Sequence, residues 1–141
     1  MKQDNKELLL RDLCARLPYG VKCYKMTFKP ELAEEVICML RNGSHNCVQL
    51  GTFLYRLEHI KPYLFPLSSM TEEQKEEYNQ SRLKDLRMLN SVLMERISDE
   101  NNFDRLVVAH NEIDWLNKNH FDYRGLIPMG LANDATGLNI Y

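Results

Sequence analysis

The fold is decided by residues 36–50, VICMLRNGSHNCVQL. Two apolar runs flank the pair Asn42-Gly43. Asn-Gly favours a tight hairpin, because both central residues of a type I′ turn need a positive φ. Residues 31–40 also fit a helix, since their apolar residues recur every four positions. The hairpin signal favours the strand.

Further strands are predicted on both sides of this hairpin. Residues 21–28 alternate and are rich in aromatic and β-branched types, and residues 53–60 follow a turn at Gly51. The result is a four-stranded antiparallel meander that could curl into a small SH3-like barrel. Two later prolines confine residues 63–67 to a sheet edge or an extended connector.

Helices are predicted before and after the meander. The first covers residues 4–17 and stops at Pro18, which has no N–H to donate. Its apolar stripe consists of Leu10, Leu13, Cys14 and Leu17. Thr71 and Gln74 have the spacing of a capping box at the start of a second, leucine-rich helix, and a third covers residues 103–119. We therefore predict an α+β fold: an N-terminal helix, a small antiparallel β-meander, two C-terminal helices and an ordered tail.

Charge is balanced overall but divided unevenly. The 141 residues include 18 basic and 20 acidic side chains, for a net charge of -2, which excludes a histone-like or polybasic binder. Residues 1–70 carry 10 basic and 7 acidic side chains, and residues 71–141 carry 8 and 13. We distinguish a helix-plus-meander sub-region, 1–70, from a helical sub-region with the tail, 71–141, within one folded unit.

The N-terminal sequence does not resemble a secretory leader. The run Leu8-Leu9-Leu10 is cut by Arg11, whereas a leader needs about 7 or more apolar residues and a membrane span about 20. We expect a cytoplasmic protein without a membrane partner.

Four cysteines stand at positions 14, 23, 38 and 47, with eight residues inside each successive pair. Structural zinc sites bring thiolates closer together in sequence, and a reducing compartment keeps thiols free. We predict packing roles for the cysteines, with no metal and no cofactor.

The segment 117–124, NKNHFDYR, holds the densest set of chemically capable side chains. His120 and Asp122 could form an imidazole–carboxylate pair, with Tyr123 and Arg124 donating to an anionic ligand. We take these four as ligand-binding candidates. The alternative is structural: a helix C-terminus favours a histidine, and the aromatic residues would pin the tail to the body.

Signatures of catalysis are missing from the sequence. It contains no G-x-S-x-G elbow, Walker loop, GxGxxG turn or HExxH helix. His110 and Asp114 have the i, i+4 spacing of metal ligands but lack a third partner. We predict that the protein is not an enzyme and name no catalytic residue.

Nucleic acid is the alternative partner. The predicted β region is basic and has interleaved aromatic residues, a combination that small barrels use to follow phosphates and stack bases. The basic candidates are Lys22, Lys25, Arg41, Arg56 and Lys61.

Three phrases of the chain resemble a family of small uncharacterised proteins found in phages and integrated mobile elements of gut bacteria. They are LCARLPYGV at 13–21, IKPYLFPLSSMT at 60–71, and DWLN at 114–117 with HFDYRGLI at 120–127. The chain departs from that pattern between residues 27 and 51, and at Phe65, where the family has a basic residue. The resemblance implies a phage-type origin and a cytoplasmic site of action, and no activity or functional residue comes with it.

Together these features predict a non-enzymatic, phage-type binding or interaction protein. Its expected partner is a host protein, a small ligand or a second copy of the chain. The alternative is a regulator that binds nucleic acid through the basic β region.

Overall fold

Helix α1 opens the chain and runs from Gln3 to Arg16. The computed structural model describes residues 1–25, 33–42, 45–93 and 103–141, without the side chains of 41–42, 83–93 and 103–110. As predicted, the helix ends next to Pro18. A 3-10 turn over Leu17–Tyr19 follows, and Gly20 takes a φ of 70° to redirect the backbone.

The buried face of α1 differs from the predicted stripe. Its buried residues are Leu9, Asp12, Leu13 and Arg16. Of the predicted stripe only Leu13 is fully buried, and Cys14 is exposed. Leu10 and Leu17 are partly buried against the core, so the prediction was wrong only at Cys14 and in omitting the charged pair: it followed hydrophobicity alone, whereas the buried row includes two residues of opposite charge.

Six strands form one sheet, in the order β4-β3-β2-β1-β5-β6. Their bounds are Lys22–Lys25 for β1, Glu34–Asn42 for β2, His45–Leu50 for β3, Phe53–Arg56 for β4, Ile60–Leu64 for β5 and Asn133–Asp134 for β6. The first four are antiparallel neighbours in chain order, which confirms the predicted meander.

The deciding hairpin is present. Residues 34–42 form a strand rather than a helix, and Asn42 pairs with His45 across a two-residue connection. Asn42, predicted as a central residue of the type I′ turn, is instead the last residue of β2, so the prediction placed the turn one residue too early. The two connecting residues, 43–44, lie outside the described residues. The register shifts between Val36 and Cys38, so Ile37 is an extra, bulged residue.

The sheet curls but remains open, which corrects the SH3-like barrel. Only Leu57–His59 link β4 to β5, a connection that spans at most about 14 Å. In a flat sheet β4 and β5 would lie about 19 Å apart, so the sheet must bend. Among the described strands none joins β4 to β6, and each remains an edge.

Strand β5 is an interior strand, which corrects the predicted edge or connector over residues 63–67. It pairs with β1 on one side and with β6 on the other. Pro62 lies opposite Cys23, and β6 pairs only with Tyr63 and Leu64. Pro62, which has no N–H to donate, therefore comes before the residues that pair with β6, so no hydrogen bond between β5 and β6 is lost.

The core lies between the concave side of the sheet and α1. Leu9 and Leu13 of α1 pack there with apolar residues of β1, β2, β3 and β5. The sheet contributes Val21, Cys23, Val36, Val48, Leu50, Leu57, Ile60 and Leu64, and the tail adds Leu126, Leu131 and Ala132.

The tail completes this part of the fold. The chain divides into two compact units: residues 1–69 with 120–141, and residues 70–119. The sequence groups the tail with the helices, but in the structure it belongs to the sheet unit. The Phe65 N–H donates to the His120 carbonyl, and the Asp122 N–H donates to the Phe65 carbonyl.

The second unit contains α2, Glu72–Leu93, and α3, Phe103–Lys118. The predicted capping box is confirmed: the Gln74 N–H donates to Thr71 Oγ1 at 3.2 Å, and the Thr71 N–H donates to Gln74 Oε1 at 3.0 Å. The two helices pack through the rings of Tyr78 and Trp115, whose centroids are 5.3 Å apart. Arg82 and Glu112 join them by an ion pair of 3.0 Å.

Candidate functional site

A buried ion pair lies at the C-terminal end of α1. Asp12 and Arg16 are both 0% exposed and are spaced i, i+4 on the helix. The guanidinium donates to both carboxylate oxygens, from Nε at 2.8 Å and from Nη2 at 3.1 Å. Arg16 Nη2 also donates to the Phe121 carbonyl at 2.7 Å, which ties the tail to the helix.

Tyr123 and Arg124 extend this pair into a cluster. The Tyr123 ring lies between two guanidinium groups, 5.4 Å from Arg16 and 4.9 Å from Arg124. Arg124 Nε approaches the Asp12 carboxylate to 3.3 Å. The Tyr123 hydroxyl is buried and has no hydrogen-bond partner within the described part of the chain. Both predicted ligand residues are therefore committed to internal contacts with the first helix.

Asp122 has a structural role. Its carboxylate accepts hydrogen bonds from the backbone N–H groups of Leu126 and Ile127, both at 2.8 Å. Such bonds satisfy amides that a turn would otherwise leave unpaired. The carboxylate thus binds the backbone ahead of it and holds the turn, and the side chain is only 7% exposed.

His120 occupies an unusual backbone position and packs against the end of the tail. Its φ is 58°, which is uncommon outside glycine. The imidazole stacks on the Tyr141 ring with centroids 3.7 Å apart and planes 11° from parallel. Its Nδ1 is buried and finds no hydrogen-bond partner among the described residues. Burial, together with the positive charges of Arg16 and Lys22, lowers the pKa of His120 to about 4.

The four predicted ligand residues therefore lie on one turn but contact different internal groups. His120 Nδ1, the Tyr123 hydroxyl and Arg124 Nε are buried without a hydrogen-bond partner in the described structure. A His120–Asp122 pair working through Nδ1 is not formed, since that atom has no partner in the described structure. Their burial and contacts match the structural alternative, in which this segment pins the tail to the body.

Two of the basic candidates are engaged within the chain. The Lys25 ammonium pairs with Glu34, and Lys22 Nζ donates to the Ile140 carbonyl. Arg56 lies on β4, three strands away from β1, whereas Lys61 lies on β5 beside β1. Side-chain placement of Arg41 lies outside the described residues.

Exposed apolar side chains instead concentrate on strands β2 and β4. Ile37 is 58% exposed, Leu40 44%, Phe53 66% and Leu54 49%. We call these four residues the β2–β4 patch.

Cross-strand register places Leu40 and Leu54 on the convex side of the sheet, whereas Phe53 pairs with the core residue Leu50 and lies on the other side, at the open edge. Leu40, Cys47 and Arg56 form one row on the convex side. Cys38, Gln49 and Leu54 form the next, and Cys38 Sγ contacts Gln49 Oε1 at 3.2 Å. This side faces away from the core.

A polar cleft of about 530 Å³ lies between α1 and the start of β3. Lys6 and Glu58 form an ion pair of 3.4 Å at its wall, and His45 and Asn46 also line it. Its volume is within the range of small-ligand pockets. Within the described structure, however, no buried polar atom without a partner belongs to its lining.

Metal-ligand geometry is not found. The described residues contain no group of three or more histidine, cysteine or acidic side chains close enough to hold a metal ion. All four cysteines are free: Cys23 and Cys47 are buried, Cys38 is half-buried and Cys14 is exposed. The packing role predicted for the cysteines thus holds for Cys23 and Cys47. The His110 side chain lies outside the described residues.

Sequence reasoning missed Asp12 and Arg16, the centre of the buried polar cluster. The signal was available as an i, i+4 pair of opposite charge in register with Leu9 and Leu13. The spacing and charges alone do not distinguish this pair from Glu7–Arg11, an exposed i, i+4 pair on the same helix.

No family model, curated protein or solved structure matches the chain. Within its described residues, every helix is too short or too polar to span a bilayer.

Proposed function

We propose that the chain is a non-enzymatic interaction protein that binds a partner protein through the β2–β4 patch. The observation that carries this proposal is the exposure of four large apolar side chains, from 44% to 66%, on two strands that flank β3. Single exposed apolar residues are normal on a surface, but several of them at one end of a sheet are typical of an interface.

The edge position of β4 supports the same surface. No described strand covers its outer side, so its outward N–H and C=O groups are available to an added strand. The opposite edge, β6, has only two residues, and the Asp134 carboxylate accepts the Thr136 N–H there. Strand β4 therefore offers an added strand more unpaired backbone N–H and C=O groups than β6 does.

Charge favours a protein over nucleic acid as the partner. Two of the basic candidates, Lys22 and Lys25, are engaged within the chain. On the convex side, the two cross-strand rows that contain Leu40 and Leu54 include one described cation, Arg56, and the other side chains in them are neutral. A phosphate backbone would need several cations in line, whereas an apolar protein surface needs few. The resemblance to mobile-element proteins suggests that the partner belongs to the bacterial host cell.

The test is quantitative capture of partners from host lysate treated with nuclease. Leu54→Thr removes apolar surface while keeping a good strand former, and Leu54→Asp adds a charge. Met129→Asp is the matched control, since Met129 is 46% exposed but lies in the tail. We expect the proteins retained by the wild type and by Met129→Asp to be reduced about tenfold with either Leu54 variant.

Equal retention by all four proteins would refute the proposal. Loss of all captured protein on nuclease treatment would instead favour the nucleic-acid alternative.

A further inference from the structure

The last residues of the tail are held to the sheet by a small number of polar contacts. The Tyr141 hydroxyl donates to the Tyr63 carbonyl at 2.8 Å and accepts from the Lys22 N–H at 3.2 Å. Lys22 Nζ binds the Ile140 carbonyl and lies 5.8 Å from the centre of the Tyr141 ring. These contacts join residues 138–141 to β1 and β5.

The Tyr141 ring also stacks on His120, and the Leu138 N–H donates to the Ala135 carbonyl at 3.0 Å. The two rings are 3.7 Å apart, and Phe65 lies 5.9 Å from the Tyr141 ring. Because His120 Nδ1 is buried with no described partner, water cannot solvate a second N–H on the ring while Tyr141 is in place. The packed tail therefore accommodates the neutral imidazole.

The charges that face His120 also disfavour its protonation. Arg16 of α1 and Lys22 of β1 are the cations that act on it. Among the carboxylates of the packed elements, Asp12 is bound by Arg16 and approached by Arg124, and Asp122 binds backbone amides.

From this geometry we propose that residues 138–141 form an acid-released latch, in which protonation of His120 detaches the tail from β1 and β5. A protonated imidazole would carry two N–H donors and a positive charge beside two cations. It gains solvation only when the Tyr141 ring moves away. Release would uncover the Phe65 ring and free the Lys22 side chain.

A hinge for this movement is present in the tail. Gly137 has a φ of 73°, and no atom lies within 4 Å of the position that a Cβ would occupy. Beyond it Leu138 is 49% exposed, so the segment is not packed into the core. Rotation at Gly137 would break the hydrogen bond from the Leu138 N–H to the Ala135 carbonyl but would leave the pairing of β6 with β5 in place.

The direction of the pH effect follows from linkage. The folded-state pKa of His120, about 4, lies below its ordinary value, so acid favours the released state. The free energy that favours the closed latch has its full value above about pH 6.5 and decreases as the pH falls towards about 4. Tyr141 stays neutral throughout, because the ordinary pKa of a phenol, about 10, lies far above this interval.

The test is an NMR titration of the full chain between about pH 7 and about pH 4, the interval between the ordinary and the folded-state pKa. The amides of residues 138–141 and the Tyr141 ring report on the latch, and the buried Val48 amide reports on the sheet. We expect the tail signals to move to random-coil positions while Val48 stays unchanged. His120→Asn accepts a positive φ but does not titrate, so its tail signals should not respond to acid.

The matched control is His59→Asn, which removes an exposed histidine elsewhere and should behave as the wild type. A second measurement uses Tyr141→Ala, in which the pKa of the uncovered His120 should rise from about 4, because burial is the largest cause of its lowering. The proposal fails if the wild-type tail does not move, if it moves equally in His120→Asn, or if Val48 moves with it. If His120→Asn does not fold, an unchanged His120 pKa in Tyr141→Ala overturns the latch.

Discussion

The Asp12–Arg16 pair shows how one charged contact can determine the orientation of a helix. Two fully buried charges are costly to desolvate, and their attraction roughly repays that cost only with good hydrogen-bond geometry. Here the contact is bidentate, and Arg16 also binds the Phe121 carbonyl. A rotation of α1 about its axis would carry both charges with it but would break the bond to the Phe121 carbonyl, so it is this bond to the tail that fixes the orientation of the helix.

Removing one partner should therefore be expensive. Asp12→Ala leaves the Arg16 guanidinium buried without its carboxylate, and we expect the free energy of unfolding to fall by about 3–5 kcal/mol. Glu7→Ala breaks the other i, i+4 pair of α1, in which both side chains are more than half exposed. It should cost less than about 0.5 kcal/mol.

Urea unfolding measures both changes. Equal, small effects of the two substitutions would contradict the role given to the buried pair. The double variant Asp12→Leu, Arg16→Met should recover much of the loss, because it leaves no isolated charge in the core.

At the level of elements, the helix start at Thr71 is defined entirely by local contacts. Both hydrogen bonds of the capping box lie within four residues, so the sequence alone predicts them. The Asn-Gly hairpin is local in the same sense. Pro62 is the counterexample: its place in an interior strand depends on how far β6 extends, which no nearby residue determines.

The cap should have a measurable effect on the helical unit. Thr71→Ala removes the acceptor for the Gln74 N–H and should lower stability by about 1 kcal/mol. Trp115 packs on Tyr78 within this unit, so its fluorescence follows the unfolding. Glu77→Ala, at an exposed position on the same helix, should change the transition by less than about 0.5 kcal/mol. A Thr71→Ala transition indistinguishable from that of Glu77→Ala would show that the cap contributes nothing.

In the whole molecule, residues far apart in sequence complete the same sheet. The Ala135 N–H donates to the Leu64 carbonyl at 2.8 Å, and Phe65 bridges to Phe121 in parallel. Sequence patterns identified the segment 117–124 as rich in functional groups but could not say what those groups meet. Asp122 binds amides only four and five residues ahead, but Phe121 and Arg124 meet Arg16 and Asp12 of α1, more than 100 residues earlier in the chain, and only tertiary packing brings these groups together.

The tail should therefore be essential to the sheet unit. Ala135 is 0% exposed, so Ala135→Asp would bury an unpaired carboxylate and should cost about 3 kcal/mol or more. Thr136→Asp, on the adjacent exposed residue, should be nearly neutral. Hydrogen exchange at the Phe65 and Asp122 amides provides the readout, since both are bonded across the tail. Unchanged protection of these amides in Ala135→Asp would show that the tail is dispensable.

The parallel pairing of β5 with β6 also imposes an order on biosynthesis. Strands β1 to β4 are consecutive, so they can pair as soon as they leave the ribosome. Strand β5 must wait with one side unpaired while the helices are translated, because its partner begins only at Asn133. During that interval the nascent chain exposes an unsatisfied strand, which is a natural point for chaperone capture or for premature aggregation.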